Sequence, residues 1–328
     1  MSLENLFRAW NEFKKGKEKK ADVQEFALNL EDNLFELHHK LLDGTYQHSA
    51  YASFFVQDPK LRHIHKAHVV DRVLHHAIMN IIEPIFEKGF IFDSYSSRKG
   101  KGTHKAVRRF RQFAWRLSRN NTRTVWALQC DIRRFFDSID HEILKNLIQR
   151  KIDDERAMDL ISGLIDSFCV EKEKGMPLGN VTSQLFSNIY LNPFDQFIKR
   201  KLRVPFYLRY ADDFVILAEE NIFLERLIPI IADFLKEKLA LRLHPKKIKI
   251  GKWNQGVDFL GYISLPHYTL VRTKTKRRML KKIQKRCLEF LDGRIDEFTF
   301  TQSQQSYLGI LKHCRGYNVE VQIKTLTK

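Results

Sequence analysis

Between residues 206 and 217 the chain reads FYLRYADDFVIL. Phe206, Leu208 and Tyr210 alternate with Tyr207 and Arg209, the two-residue period of a strand. Apolar residues resume at Phe214 and run to Leu217. The pattern predicts a β-hairpin with Asp212 and Asp213 at its tight turn. Earlier segments follow a helical period. Leu30, Leu34, Leu37, Leu41 and Leu42 recur at helical spacing, with Gly44 as a C-cap. Residues 71–87 predict a helix with Val73, Leu74, Ala77, Ile78, Ile81, Ile82, Ile85 and Phe86 in one stripe. Thr103 is the expected cap of HKAVRRFRQFAWRL, whose Val107, Phe110, Ala114 and Leu117 face inward. TVWALQCDI predicts a strand that delivers Asp131 at its end, and Asp140 caps the helix that follows. Residues 51–70 predict two short strands joined at Asp58-Pro59. Residues 175–200 predict a Gly/Pro turn and then a helix that Pro193 kinks or breaks. Residues 220–240 form a helix, KLALRLHPKKIKI a strand and basic turn, and GVDFLGYISL a further hairpin. From Arg272 onward the chain is basic and helical.

Composition narrows the partners. With 57 Lys+Arg against 39 Asp+Glu in 328 residues, the net charge is +18. An excess of that size, with 12% aromatic residues, points to a polyanion, and nucleic acid fits better than a membrane surface. No apolar run reaches the roughly 20 residues of a membrane span. The chain opens on an amphipathic segment, LENLFRAWNEF, not on a signal peptide. Cys130, Cys169, Cys287 and Cys314 show no zinc or redox spacing, so free thiols in a reducing, cytoplasmic setting are expected. The loop SYSSRKGKGTH lacks the Gly-Lys-Ser/Thr ending of a P-loop. His63, His65 and His68 lack a carboxylate or Cys to complete a metal site.

Candidate chemistry centres on carboxylates. Asp is common in turns because its side chain bonds nearby backbone. Here the flanks are almost wholly apolar, so two adjacent anions call for a neutralising cation. A hard divalent ion such as Mg²⁺ suits oxygen ligands. Asp131, at the end of its own apolar strand, would complete three carboxylates for two metals. That is the device of in-line phosphoryl transfer.

The ordered series of motifs resembles a reverse transcriptase. LRH…DR…SYSSRKGKGTH resembles the fingers motifs, CDIRRFFDSIDH the first catalytic block and GMPLGNVTSQLFSN the template- and nucleotide-positioning block. RYADDFVIL resembles the second catalytic block, LHPKKIKI the motif after it, and VDFLGY the primer grip. The resemblance implies an α+β right-hand polymerase fold, with an antiparallel palm sheet packed on helices. N-terminal helices and fingers would occupy residues 1–120, the palm with an interleaved fingers segment 121–265, and a short helical thumb 266–328. It implies two Mg²⁺ ions, with Mn²⁺ as a substitute, held by Asp131, Asp212 and Asp213 and by the Ile132 carbonyl. Lys247 matches a lysine that protonates the pyrophosphate leaving group, a role for which Lys246 competes. Lys60, Arg62, Arg72, Phe135, Phe136, Leu178, Gly179 and Gln184 would meet the incoming nucleotide. The bulk of Phe136 would exclude a 2′-hydroxyl, with ordinary core packing beside Phe135 as the competing reading. Phe259, Leu260 and Gly261 would form the primer grip, and Arg98, Lys99, Lys101 and Arg209 would contact nucleic acid. RNA template, DNA or RNA primer and dNTPs follow as partners.

LGNVTSQ, residues 178–184, departs from the common pattern, which has Gln where Leu178 stands and Pro where Gln184 stands. That departure resembles the bacterial and phage enzymes of diversity-generating retroelements, which are relatives of group II intron reverse transcriptases. These copy a template repeat with errors at adenines, and a basic ring-forming accessory protein usually joins them. The roughly 60 residues after VDFLGY allow a short thumb and no RNase H domain. A retron or phage-defence reverse transcriptase, an RNA-templated RNA polymerase and a non-catalytic RNA-binding scaffold are the competing readings.

Overall fold

Alternation and helical stripes sort this chain into three small antiparallel sheets among twelve helices, in a computed structural model that describes residues 1–57 and 61–326. In chain order these are α1 (Leu3–Lys14), α2 (Ala21–Leu28), α3 (Leu30–Leu42), β1 (Ala52–Gln57), β2 (Leu61–Lys66), α4 (Val69–Glu87), α5 (Thr103–Leu117) and β3 (Trp126–Asp131). Next come α6 (His141–Gln149), α7 (Glu155–Asp166), α8 (Val181–Gln196), β4 (Tyr207–Tyr210), β5 (Asp213–Ala218), α9 (Asn221–Leu239) and β6 (Lys249–Lys252). The series closes with β7 (Val257–Phe259), β8 (Tyr262–Ser264), β9 (Thr269–Val271), α10 (Thr273–Leu291), α11 (Glu297–Leu311) and α12 (Tyr317–Leu326). Mixed helix and antiparallel sheet is the α+β class that the motifs imply.

The chain divides into two discontinuous units. The first comprises residues 1–97, 131–204 and 230–244. In it α1 lies along α4 and α4 along α8, with Leu6, Trp10, Val73, Leu74, Ala77, Tyr190 and Leu191 in the core. The β1–β2 ribbon pairs Ala52 with Lys66 and Gln57 with Leu61. The turn expected at Asp58-Pro59 lies outside the described residues, as does Lys60.

Three sequence expectations change here. Ile81 and Ile85 belong to the predicted stripe of α4, yet both are exposed, because a stripe of eight positions is wider than the face its neighbours cover. Pro193 does not break α8. It lies in the last turn, Gln196 ends the helix, and a π-helical turn over Phe197–Lys201 follows. Phe135 is 1% exposed, T-shaped against Phe136 and Tyr190, so it is core and not a ligand-facing side chain. Asp140 does cap α6, accepting from the Ile143 N–H at 3.1 Å.

The second unit comprises residues 98–130, 205–229 and 245–328. Its main sheet has the order β4-β5-β3-β6, and β3 and β6 pair antiparallel from Trp126↔Lys252 to Gln129↔Lys249. Helix α5 packs on β4 and β5, with Phe113 edge-on to Phe206 at 5.4 Å. β7, β8 and β9 form a separate meander. Helices α10, α11 and α12 close round Met279, Ile283, Phe300, Leu311, Val319 and Ile323.

Candidate active site

The β4–β5 hairpin is the predicted carboxylate turn. Tyr210 pairs with Asp213, so Ala211 and Asp212 are the two loop residues. Ala211 has φ +53°, in the left-handed region that L-residues other than Gly, Asn and Asp seldom occupy. Such a backbone persists only where its surroundings enforce it. Two contacts within this unit do so. The buried Arg209 donates from Nη1 to the Ala211 carbonyl at 3.0 Å. Thr103, at the first turn of α5, donates from Oγ1 to the Tyr210 hydroxyl at 3.1 Å. Both correct the sequence reading. Arg209 was expected at the nucleic acid but is 0% exposed, because the strand that carries it is covered on both faces. Thr103 was expected to cap α5, but Gly102 holds the N-cap position with φ +115°, which frees the hydroxyl for Tyr210.

Asp212 is half-buried and Asp213 exposed, so a cation can reach both. Asp131 is the last residue of β3, the strand next to β5 in the sheet, and is 6% exposed. Past it the chain pairs with residues 242–244. The His244 N–H donates to the Asp131 carbonyl at 2.8 Å, and Ile132, buried, bridges to Leu243. Among the described residues no three His, Cys, Asp or Glu side chains form a ready-made metal cluster. The chemistry of Asp131, Asp212 and Asp213 is nonetheless all carboxylate oxygen, which fits Mg²⁺ or Mn²⁺ and not a soft metal.

In the first unit, two backbone bonds strap the segment before α8 to the segment after β3. The Met176 N–H donates to the Phe136 carbonyl and the Gly175 N–H to the Ile139 carbonyl, each at 2.8 Å. His141, buried, adds a bond from Nε2 to the Gly175 carbonyl at 2.8 Å. Leu178, two residues beyond Met176, and Phe136 are both half-buried. Gly179, at φ +116°, admits no side chain without strain, and its α-carbon faces Ile64.

Three of the predicted nucleotide residues share one cavity. Arg72, Gly179 and Gln184 line a space of about 300 Å³ together with Lys17, Lys20 and Lys66. Lys66 lies near the ribbon turn whose basic residues suit a triphosphate or template backbone, whereas Lys17 and Lys20, in the charged loop 14–22, carry no sequence signal of a site. The cations are crowded. Burial pushes the Lys17 ammonium below its ordinary value, and Arg72 and Lys20 add to the shift. Asp22 receives Lys66 at 2.7 Å and Arg72 at 2.5 Å. Burial opposes the charge on Asp22, and the two hydrogen bonds outweigh it, bringing the carboxyl down to about 2. Arg62 is exposed on β2 and outside this cavity.

The residues expected to form a primer grip lie at the β7–β8 turn. Phe259 pairs with Tyr262, leaving Leu260 (φ +53°) and Gly261 (φ +86°) as a two-residue loop. Two positive φ values are the signature of a type I′ turn. Lys246 and Lys247 are exposed on the one-turn helix Pro245–Lys247, and Arg98, Lys99 and Lys101 occupy the loop before α5.

The family profile described as reverse transcriptase (RNA-dependent DNA polymerase) matches residues 57–264, well over half the chain. The chain belongs to the reverse transcriptase family. It is similar to protein YkfC of Escherichia coli K12, at 29% identity over 266 residues, covering 69% of each chain. It is also similar to the group II intron-encoded protein LtrA of Lactococcus lactis, at 28% identity over 177 residues, covering 51% of this chain and 28% of that protein. Among solved structures, the reverse transcriptase shares its fold with apo telomerase from Candida tropicalis truncated from its C-terminal domain. The TM-score is 0.52 at 12% identity, covering 68% of this chain and 55% of that one. By family the chain is an RNA-directed DNA polymerase, and its homologues are of the group II intron type. No described helix is long and apolar enough to cross a membrane.

Proposed function

We propose that this reverse transcriptase adds dNTPs to a primer 3′-hydroxyl on an RNA template, with Asp131, Asp212 and Asp213 as the metal-holding carboxylates. The observation that carries the reading is the strained, doubly tied hairpin turn that presents Asp212 and Asp213 on the strand pair beside β3. A turn held this way fixes two carboxylates without help from a ligand. Two hard divalent ions, when bound, supply activation of the 3′-hydroxyl and charge neutralisation at the triphosphate. The protein's own residues do the rest. Asp131, Asp212 and Asp213, with the Ile132 carbonyl, hold the ions. Arg62, Arg72, Gly179, Gln184 and Lys60 receive the triphosphate and nascent pair. Phe136 packs under the sugar and disfavours a ribonucleotide by its bulk. Lys247 donates a proton toward the leaving pyrophosphate. Leu260 and Gly261 meet the primer strand, and Arg98, Lys99 and Lys101 its phosphates. Fingers over 1–120, palm over 121–265 and thumb over 266–328 complete the assignment.

The finer reading is a diversity-generating enzyme, error-prone at template adenines. Leu178 supports it, because a leucine at the turn before α8 offers no hydrogen bond with which to test the geometry of a base pair. A basic accessory protein would then work beside the enzyme, in a bacterial or phage setting. Primer extension on RNA with dNTPs, for the wild type and Asp212→Asn, tests the polymerase reading. Ribonucleotide preference, or undiminished extension by the variant, would overturn it.

A further inference from the structure

A cavity of about 550 Å³ opens along α5 in the second unit. Arg108, Arg111 and Lys312 supply its cations, and Trp115 and Tyr262 part of its walls. Among the described residues no carboxylate lines it. His104 and His313 stack across it with ring centroids 3.6 Å apart, tilted by 26°. Burial holds His104 below the ordinary imidazole range, and His313 and Arg108 reinforce the shift. Arg111 reaches the Pro266 carbonyl from Nη2 at 3.4 Å, while its buried Nε has no partner among the described groups. Three cations, two imidazoles and a buried unmatched donor leave the pocket short of one thing, a hydrogen-bond acceptor carrying negative charge.

We propose that this pocket binds the phosphate of a nucleotide. Guanidinium forks match phosphate oxygens in pairs, which favours phosphate over a simple halide. The volume exceeds what an inorganic ion fills and suits a ligand of nucleotide size. Trp115 offers a ring to the base, an interaction every base can make. The pocket shares no lining residue with the carboxylate turn or with residues 178–184, and meets the motif VDFLGY at Tyr262. It stands whether or not the chain polymerises. It adjoins the β4–β5 hairpin through α5: His104 follows Thr103, which bonds Tyr210, and the helix packs on both strands.

The test is histidine NMR on the full chain, with His104 and His313 assigned through His104→Gln and His313→Gln. The probes are inorganic phosphate, 5′-AMP and a 5′-phosphorylated single-stranded RNA oligonucleotide. Saturable shifts of both imidazoles are expected with AMP or the oligonucleotide, and affinity should fall about tenfold or more in Arg108→Ala/Lys312→Ala. Both substituted side chains are exposed, so the melting temperature of the variant should match the wild type. A response to AMP assigns the site to free nucleotides. A response to the oligonucleotide alone assigns it to a strand phosphate. Silence with all three probes, equal affinity in the double variant, or inorganic phosphate binding as tightly as AMP would overturn the proposal.

Discussion

Arg209 and Ala211 are bonded across the tip of the β4–β5 hairpin, guanidinium Nη1 to carbonyl oxygen at 3.0 Å. The cation is wholly buried and the alanine sits at φ +53°. The bond ties a strained residue to the strand that enters the turn. Replacing Arg209 with Met should leave the carbonyl without this donor and cost about 1–3 kcal/mol or more of stability. Turnover should fall more than dNTP affinity, since the carboxylates next to the turn lose their fixed position. Steady-state kcat and KM on a primed RNA template would show it, and an unchanged kcat would contradict it.

Ala211→Gly probes the same turn from the other side. Glycine adopts positive φ without a Cβ clash, which relieves about 1 kcal/mol of strain. The variant should melt at or above the wild-type temperature and keep extending primers. A clear loss of stability would show that Ala211 is not strained.

Asp212→Asn should lower extension by about 10³-fold or more, since metal ions contribute several kcal/mol of charge stabilisation and tenfold corresponds to about 1.4 kcal/mol. RNA binding, measured by filter retention at fixed salt, should persist, because loss of one carboxylate leaves the chain's large positive charge of +18 no smaller.

Leu178→Gln places a hydrogen-bonding side chain at the turn before α8. A contact of that kind discriminates by about 1–3 kcal/mol, or roughly 5- to 150-fold. Misincorporation opposite template adenine should fall by a factor in that range. An unchanged error spectrum would remove Leu178 as the cause of infidelity.

His75 gives a pH signature. It is 1% exposed on α4, and burial first, then His48, His76 and Arg72, hold its imidazole down to about 3. The folded pKa lies below the unfolded value of about 6.5, so the unfolded chain binds the proton first. The stability is therefore fully present above that unfolded value and is lost as pH falls toward 3, by up to about 1.4 kcal/mol per unit from this group. Denaturation midpoints between pH 7 and 4 should fall in the wild type and flatten in a His75→Gln variant. Equal slopes would contradict the assignment.

The hairpin was legible because its two flanks carry an unbroken strand period up to a two-residue turn. What the sequence hid was the burial of both faces of β4. A lone cation at Arg209 reads as solvent-facing, yet Tyr207 and Leu208 beside it are equally buried. The apolar character of both faces was the available signal: a cation within such a strand must find an acceptor inside. Thr103 misled for a related reason. A hydroxyl before a helical stripe is a good cap by propensity, but tertiary contact with Tyr210 took it. Asp22 and the network of Tyr46, Asp71, His48 and His75 left no trace in any local pattern. They meet only because α4 folds against the N-terminal segment, with Tyr46 donating to Asp71 at 2.6 Å and the His48 and His75 Nε2 atoms 3.2 Å apart. The cavity that joins Lys17 and Lys20 to Gly179 and Gln184 was hidden in the same way, by sequence distance.

Single-nucleotide incorporation by the purified full chain with Mg²⁺, on primed RNA templates presenting each base in turn, tests the central claim most directly. The expected result is dNTP addition on all templates, faithful opposite G, C and U and promiscuous opposite A, with no extension by Asp212→Asn. Preference for ribonucleotides, or extension by Asp212→Asn at the wild-type rate, would contradict the polymerase assignment. Equal fidelity at all four bases would contradict the diversity-generating part of it.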